Sequence, residues 1–462
     1  MKRNIIISVI SLCLLFSSCS EFLDLKPYGK TIPKTSVEFS ALLHDYLNKI
    51  DYGTDHVLVG NFSDVLSYAC FVDNLDASLT ERNYRKVMPN YIGNRINSFQ
   101  TLYGNLYSII RDCNIIINRV TDADKSTQRG QEVLATAHTM RAVCYYSLVR
   151  HYCEPFDKGN SDNQLGVPLV EDFDIEARPL RSGLQNIINF VIDDLKKAIE
   201  YNVNKEEYRF TVDVAKAYLA RMYFWSEDWN NAIEISKEIV NKYPLVDGSA
   251  YTNMIQDRYG KNGNVLLRSY IYSGGNDLTY ETAELQVKHR PASKEFVDLF
   301  VEKENDIRYA LSFNAERHNQ KNLCARVRSA EFCLIVAESY AHISGKESDA
   351  LLWLNKLREK RITPFVPYTL ANLPVVNPDY IIKKDAEGKN LTPLMYSIIT
   401  ERQKELYLEM DRFFELKRNG RPTFWVAADG LKYVMEQFLY TTPIPKNDIE
   451  LVSGLKQNKG YK

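Results

Sequence analysis

The stretch "AKAYLARMYFWSEDWNNAIEISKEIVNKYP", Ala215 to Pro244, constrains the fold of this chain more than any other. Ala215, Tyr218, Leu219 and Met222 recur at helical spacing, and apolar residues in that pattern form one buried face of a helix. Leu219, Ala220, Tyr223, Ala232 and Pro244 then follow at fixed intervals. Small residues let two antiparallel helices approach closely. Proline stops the second, because it lacks an N–H and its ring clashes with the preceding turn.

That spacing is the one of a tetratricopeptide repeat, in which each helix pair buries its apolar face against the next. A weaker echo runs through "AESYAHISGKESDALLWLNKLREKRI", where Gly345 breaks one helix and Ala350, Leu354 and Leu357 line the next. "FQTLYGNLYSIIRDCNIIINRV" followed by Gln131 to Tyr152 reads as a further pair. Ala137, Met140, Cys144 and Leu148 make one helical face there, and Ala330, Leu334, Ala337 and Ala341 make another further on. The expected fold is mainly α, a scaffold of helix pairs with few short strands. Long irregular stretches are expected near 50–97, 245–293 and 363–393, rich in Asp, Asn and Tyr, in Gly and in Pro respectively. Loops of that length usually serve a purpose, and binding residues concentrate on loops held by a rigid scaffold. No Ser/Gly-rich seam divides the chain, so residues 19–462 read as a single domain.

The amino terminus is read separately. Lys2 and Arg3 precede an apolar run, Ile5 to Phe16, which small Ser17 and Ser18 and then Cys19 close, the layout of an export signal over residues 1–18. The run is shorter than the roughly 20 apolar residues that span a bilayer. Cleavage before Cys19 leaves a thiol and an amine that both take acyl chains, and two chains anchor stably where one does not. An ordinary signal peptide followed by an unmodified cysteine is the alternative.

A formal net charge of −1 with no basic stripe argues against nucleic acid or an anionic membrane surface as a partner. Of the eight cysteines, six lie beyond Cys19: Cys70, Cys113, Cys144, Cys153, Cys324 and Cys333. None forms a CxxC pair or a zinc-type cluster with histidine. They read as small buried hydrophobes, with oxidation of a pair such as Cys144 and Cys153 left open outside the cytoplasm. The seven histidines are dispersed, and neither a cofactor nor a metal is expected. Glu405 and Glu409 sit at i, i+4 in "ERQKELYLEMDRFFELKRNG", read as one helix from Glu401 to Gly420. Arg402 and Arg412 stand three residues from each, a spacing at which opposite charges stabilise a helix. The pair therefore reads as scaffold, and no catalytic residue is expected. An inverting glycosidase would need acids flanking a cleft.

The 30 tyrosines are a different matter. Most belong in the core, but on irregular segments a tyrosine offers a flat apolar face and a hydroxyl, which suits a sugar ring. Tyr84 and Tyr91 with Asn74 and Arg82 form one candidate ligand cluster. Tyr272 and Tyr280 with Asn276 form a second.

Four stretches, in order along nearly the whole chain, resemble the SusD-like (SusD/RagB) family of surface lipoproteins. They are "SSCSEFLDLKP"; "ATAHTMRAVCYYSLVRHYCEPF", carrying Arg141, Ala142, Tyr145, Leu148, Val149, Arg150 and Tyr152; Glu401 to Gly420; and "TTPIPKNDIELVSGLKQNKGY", with Pro443 to Pro445 and Leu455 to Tyr461. Glu409, Met410 and Asp411 stand where relatives commonly have Glu-Gly-His, and Cys153 stands where glycine is frequent. Residues 60–97 hold no tryptophan, which sugar-binding relatives often present there. The resemblance implies a helical body lipid-anchored at Cys19 on the outer membrane and facing the exterior. It further implies that the chain binds a nutrient, oligosaccharide in most cases and peptide in some branches, and passes it to a SusC-like TonB-dependent barrel transporter. Two other readings stand beside it: a tetratricopeptide-like envelope adaptor lipoprotein for protein assembly, and an envelope glycosidase.

Overall fold

The computed structural model describes residues 33–76, 91–174, 176–428 and 431–461. The export signal, Cys19, Arg82 and Tyr84 lie outside the described residues.

Helices dominate. Short helical turns aside, α1 (Ser36–Asp51) and α2 (Phe62–Cys70) each begin on a reciprocal cap, Thr35 with Glu38 and Asn61 with Asp64. Such a cap satisfies N–H groups that the first turn leaves without partners. Then come α3 (Ile96–Arg119) and α4 (Gln128–Tyr152), an antiparallel pair of strands β1 (Leu165–Pro168) and β2 (Arg181–Gly183), and α5 (Leu184–Glu200). The Ala215–Pro244 stretch folds as expected into α6 (Val212–Trp225) and α7 (Trp229–Lys242), which Thr211 and Asp228 cap by accepting from Val214 and Asn231. α8 (Gly248–Gln256), β3 (Val265–Arg268), α9 (Asp277–Lys288) and β4 (Arg326–Arg328) follow, with β3 and β4 paired antiparallel. The chain closes with α10 (Ser329–Ala341), α11 (Glu347–Glu359), α12 (Pro393–Glu405), α13 (Arg412–Arg418) and the hairpin β5 (Phe424–Ala428) and β6 (Leu431–Met435).

α3, α4, α5, α6, α7, α10 and α11 pack each on the next, and α12 lies against α10. This stack of helix pairs holds the larger core. A smaller core gathers α2, α9, Phe296, Phe313 and Tyr407. α4 runs through the middle, buried on almost every side, so its polar residues need partners inside the protein. Arg141 grips Asp194 through Nε and Nη2, each at 2.7 Å, and His138 Nδ1 lies 2.8 Å from the same carboxylate.

Three sequence expectations change. Residues 245–293 are not irregular, because they contain α8, β3 and α9, and 50–97 contains α2. Residues 363–392 do lack helix and strand. Glu401 to Gly420 is not one helix: α12 ends at Glu405, the chain turns through Leu408 and Met410 at positive φ, and α13 begins at Arg412. Lys321 holds that turn, donating to Tyr407 O at 2.6 Å and to Glu409 at 2.8 Å. Glu405 and Glu409 are buried in ion pairs, with partners other than those their spacing suggested. Arg328 and Arg361 bind Glu405 at 2.5 and 2.9 Å, and Arg328 also binds Glu409 at 2.9 Å. Arg402 turns instead to Asp411, and Arg412 to Asp73 and Glu415. The six cysteines beyond Cys19 are buried free thiols.

Candidate functional site

The loop between α1 and α2 is wound around one carboxylate. Buried Asp55 accepts four backbone N–H groups, from Val57 (3.0 Å), Leu58 (3.1 Å), Val59 (2.7 Å) and Gly60 (3.0 Å). At the base of the loop Gly53 sits at φ 66°, and a Cβ there would lie 2.5 Å from Tyr270 O. Only glycine fits both the conformation and the approach. The loop presents His56 to solvent, with Nδ1 3.0 Å from Asp64 Oδ2 and Nε2 3.3 Å from Asn61 Nδ2. Since the amide nitrogen of Asn61 donates to Nε2, Nδ1 carries the proton and donates to Asp64. The hydrogen bond to Asp64 raises the His56 pKa.

Facing this loop, α3 turns Ser98, Thr101, Leu102 and Asn105 toward it, residues whose spacing places them on one side of a helix, while Phe99, Tyr103 and Leu106 go to the core. α4 adds Tyr146, Ser147, Arg150 and His151. Together they enclose a cleft of about 400 Å³, with Tyr68, Phe71 and Tyr218 in its walls. Buried His151 is neutral, because desolvation drives its pKa down to about 3. Its Nδ1 donates to Ser147 O at 2.7 Å, so Nε2 accepts from Tyr68 Oη at 2.5 Å. The Arg150 guanidinium lies 3.8 Å from the Phe414 ring centre and 4.6 Å from that of Tyr146. Among the described residues Asp64 is the one carboxylate lining the cleft, and His56 and Asn61 already engage it.

A second feature borders the same loop. Tyr52 and Tyr272, both half exposed, meet edge to face at 5.1 Å, and Asn276 Nδ2 donates to Tyr52 O at 2.6 Å. The Asn61 amide also donates to Gly53 O at 3.2 Å, which ties the aromatic rim to the wall of the cleft. Hydroxyl and amide groups among aromatic faces, in a preformed concavity, suit a ligand that is apolar on its faces and polar at its edges.

Of the two candidate clusters, the structure keeps one half of the second. Tyr272 and Asn276 come together on the rim, joined by Tyr52. Tyr280 does not: it is 1 % exposed, packs edge-on against Phe62, and accepts from Leu323 N at 3.1 Å. The cause is α9, on which Tyr280, Ala283 and Val287 form the buried face. In the first cluster Asn74 is buried, its Oδ1 accepting from Gln403 Nε2 at 2.8 Å, so it joins α12 to the loop after α2. Tyr91 is half-buried and stacks on Tyr433 at 4.8 Å, away from the cleft.

A profile described as starch-binding and associating with the outer membrane matches residues 21–224, and the profile of the SusD family matches residues 200–461, more than half of the chain. The chain belongs to the SusD family. The SusD-like protein P2 of Formosa agariphila is 22% identical over 400 residues, covering 72% of this chain and 74% of that protein. A SusD superfamily protein of Bacteroides vulgatus superposes with a TM-score of 0.70 at 18% identity, covering 93% of this chain and 100% of that one. A putative sugar binding protein of the same organism gives 0.67 at 20% identity, with 94% and 100% covered.

In this SusD-family chain the motif residues do structural work around the end of α4. Lys417 donates to the carbonyls of Arg150 (2.6 Å) and Cys153 (2.7 Å), Thr442 N to that of His151 (2.8 Å), and Asn458 Nδ2 to that of Tyr152 (2.8 Å). The last turn of a helix leaves its carbonyls without partners, and these two side chains and one backbone amide supply them. Among the described residues no helix is long and apolar enough to cross a membrane, and no group of three or more His, Cys, Asp or Glu is placed to hold a metal ion.

Sequence reasoning missed the cleft. Ser98, Thr101 and Asn105 carried a signal, polar residues on an unbroken stripe of an amphipathic helix, whereas His56 and Arg150 carried none.

Proposed function

We propose that this chain is a carbohydrate-capturing outer-membrane lipoprotein that holds a glycan in the cleft between the Asp55 loop and the α3–α4 pair and passes it to a SusC-like TonB-dependent barrel. The observation that carries the reading is the cleft itself, lined by Ser63, Ser67, Ser98, Thr101 and Asn105 beside Tyr146 and Tyr218. Family membership supports it, together with the starch-binding description of the matched profile and the sugar-binding title of the Bacteroides vulgatus neighbour. Capture without turnover is supported by the state of the acids: Glu405 and Glu409 are enclosed in ion pairs, and Asp64 is held by His56 and Asn61. Lipid attachment at Cys19 keeps the binding face at the surface.

A glycan panel followed by calorimetry on the best ligand tests the reading. Thr101→Trp, at an exposed position of α3, fills the mouth of the cleft and should abolish binding without lowering the melting temperature. Unchanged affinity in that variant refutes the placement of the site, and new reducing ends on incubation would refute capture without turnover. Cys19→Ala should release the protein from the outer membrane, and the anchored form should co-purify with a large barrel protein.

A further inference from the structure

Arg150 stands apart from the other arginines around it. Beyond the cleft, and sharing Leu58, Val59, Tyr146, Arg150, Tyr218 and Met410 with it, lies a smaller cavity of about 90 Å³. Four other arginines line that cavity, and every one has a carboxylate: Arg221 binds Glu331 at 2.6 Å, Arg402 binds Asp411 at 2.5 Å, Arg326 reaches Glu409 at 3.5 Å, and Arg418 binds Glu338. Arg150 has no ion pair and no side-chain hydrogen bond among the described residues, and its buried Nε–H has no acceptor. Removing a charge from water without an opposite charge is costly. Arg150 is half-buried, and two aromatic rings offset part of that cost by cation–π attraction.

Both rings lie within cation–π distance of the guanidinium, at 3.8 and 4.6 Å. Its N–H donors lie in its plane, in the fork that matches a carboxylate or sulfate. The acids lining the cleft and the cavity are engaged elsewhere: Asp64 with His56, Glu331 with Arg221, Glu409 with Arg328, Asp411 with Arg402, and Glu415 with Arg412 at 2.8 Å. His151, the next residue along α4, is neutral and offers no competing charge.

We propose that the glycan taken by this cleft carries an anionic substituent, a uronate carboxylate or a sulfate ester, and that Arg150 receives it. The proposal rests on the glycan reading above and narrows it to acidic saccharides. The same chemistry has two sources, and the probes separate them.

Calorimetry on the whole mature chain compares three oligosaccharides of equal length: a neutral glucan, an oligoglucuronate and a sulfated glucan. At least one anionic probe should bind about 10-fold or more tighter than the neutral one, since a hydrogen bond to a charged group is worth about 1.5–3 kcal/mol and 1.4 kcal/mol is tenfold. Whichever of the two binds tighter identifies the substituent. Arg150→Met keeps an apolar chain beside the rings and should erase that preference, read as the ratio of anionic to neutral affinity. Arg150→Lys, which keeps charge but not the planar fork, should retain part of it. The wild-type preference should also weaken as salt is raised, a readout that needs no variant. Equal or tighter binding of the neutral glucan, or an equal loss for neutral and anionic probes in Arg150→Met, overturns the acidic preference and leaves the glycan reading standing. Binding of none of the three overturns both.

Discussion

Replacing Asp55 by alanine should open the cleft loop without unfolding the protein. The carboxylate accepts four N–H groups, and those of Leu58 and Gly60 belong to buried residues. A buried donor left without a partner costs about 1–3 kcal/mol, and a donor that regains water loses only a net bond of about 1 kcal/mol. With Val57 and Val59 in the second class, the loop loses about 4–8 kcal/mol of its support. Loops yield locally before a core does, so the loss should appear as local opening. Hydrogen exchange is the assay: amides 57–60 should exchange at the earliest time points in Asp55→Ala, while α4 stays protected, and glycan affinity should fall in parallel. Asp55→Asn keeps one accepting oxygen and should lie between the two. Persistent protection of amides 57–60 in the alanine variant would refute the claim that this carboxylate organises the loop.

Other outcomes follow from the interior. Glu405→Gln leaves Arg328 and Arg361 facing a neutral group and should cost about 3–5 kcal/mol, as breaking a buried pair does, read from urea unfolding. Lys417→Met removes the donor shared by two carbonyls of the last turn of α4, and should cost about 2–3 kcal/mol with faster exchange confined to residues near 150–153. Acid sensitivity has a defined sign. Burial holds His151 down at about 3 against an ordinary 6.5, and despite the burial that opposes it Glu409 is held at about 2 against 4.5 by Arg328 and Lys321. Both groups bind more protons unfolded than folded between pH 4.5 and 3, so stability falls as pH drops, by up to about 1.4 kcal/mol per pH unit for each. Glu227 and Glu415, raised to about 7 mainly by burial, oppose this fall near pH 4.5, where their unfolded forms are still half ionised, and add almost no slope by pH 3. A urea midpoint that stays constant from pH 4.5 to 3 contradicts this account.

What could be read from the sequence was what local pattern determines. α6 and α7 were legible because Leu219, Ala220, Tyr223, Ala232 and Pro244 each act on their own few neighbours. α9 was legible in principle, since Tyr280, Ala283 and Val287 keep helical spacing, but the glycines before it, Gly274 and Gly275, dominated the reading of that region. The break between α12 and α13 was not: Leu408 and Met410 take positive φ with no glycine to mark the place, and the lysine that holds the turn comes from position 321. Tyr272 and Asn276, expected close together, are brought together through Tyr52 on the rim beside the cleft. The cleft was not legible, since three of the four ion pairs that engage the other arginines of the adjoining cavity, Arg221–Glu331, Arg326–Glu409 and Arg418–Glu338, join distant parts of the chain.

The staple on α4 reverses the order in which this protein is made and finished. Asn458 meets the carbonyl of a residue 306 positions earlier, and the helix end it completes carries Arg150 and His151. A ribosome delivers that helix long before the residue that closes it, so the Tyr152 carbonyl lacks this partner until position 458 has been made. A product that stops short of Asn458 should therefore exchange its amides near residues 150–153 faster than the whole chain does.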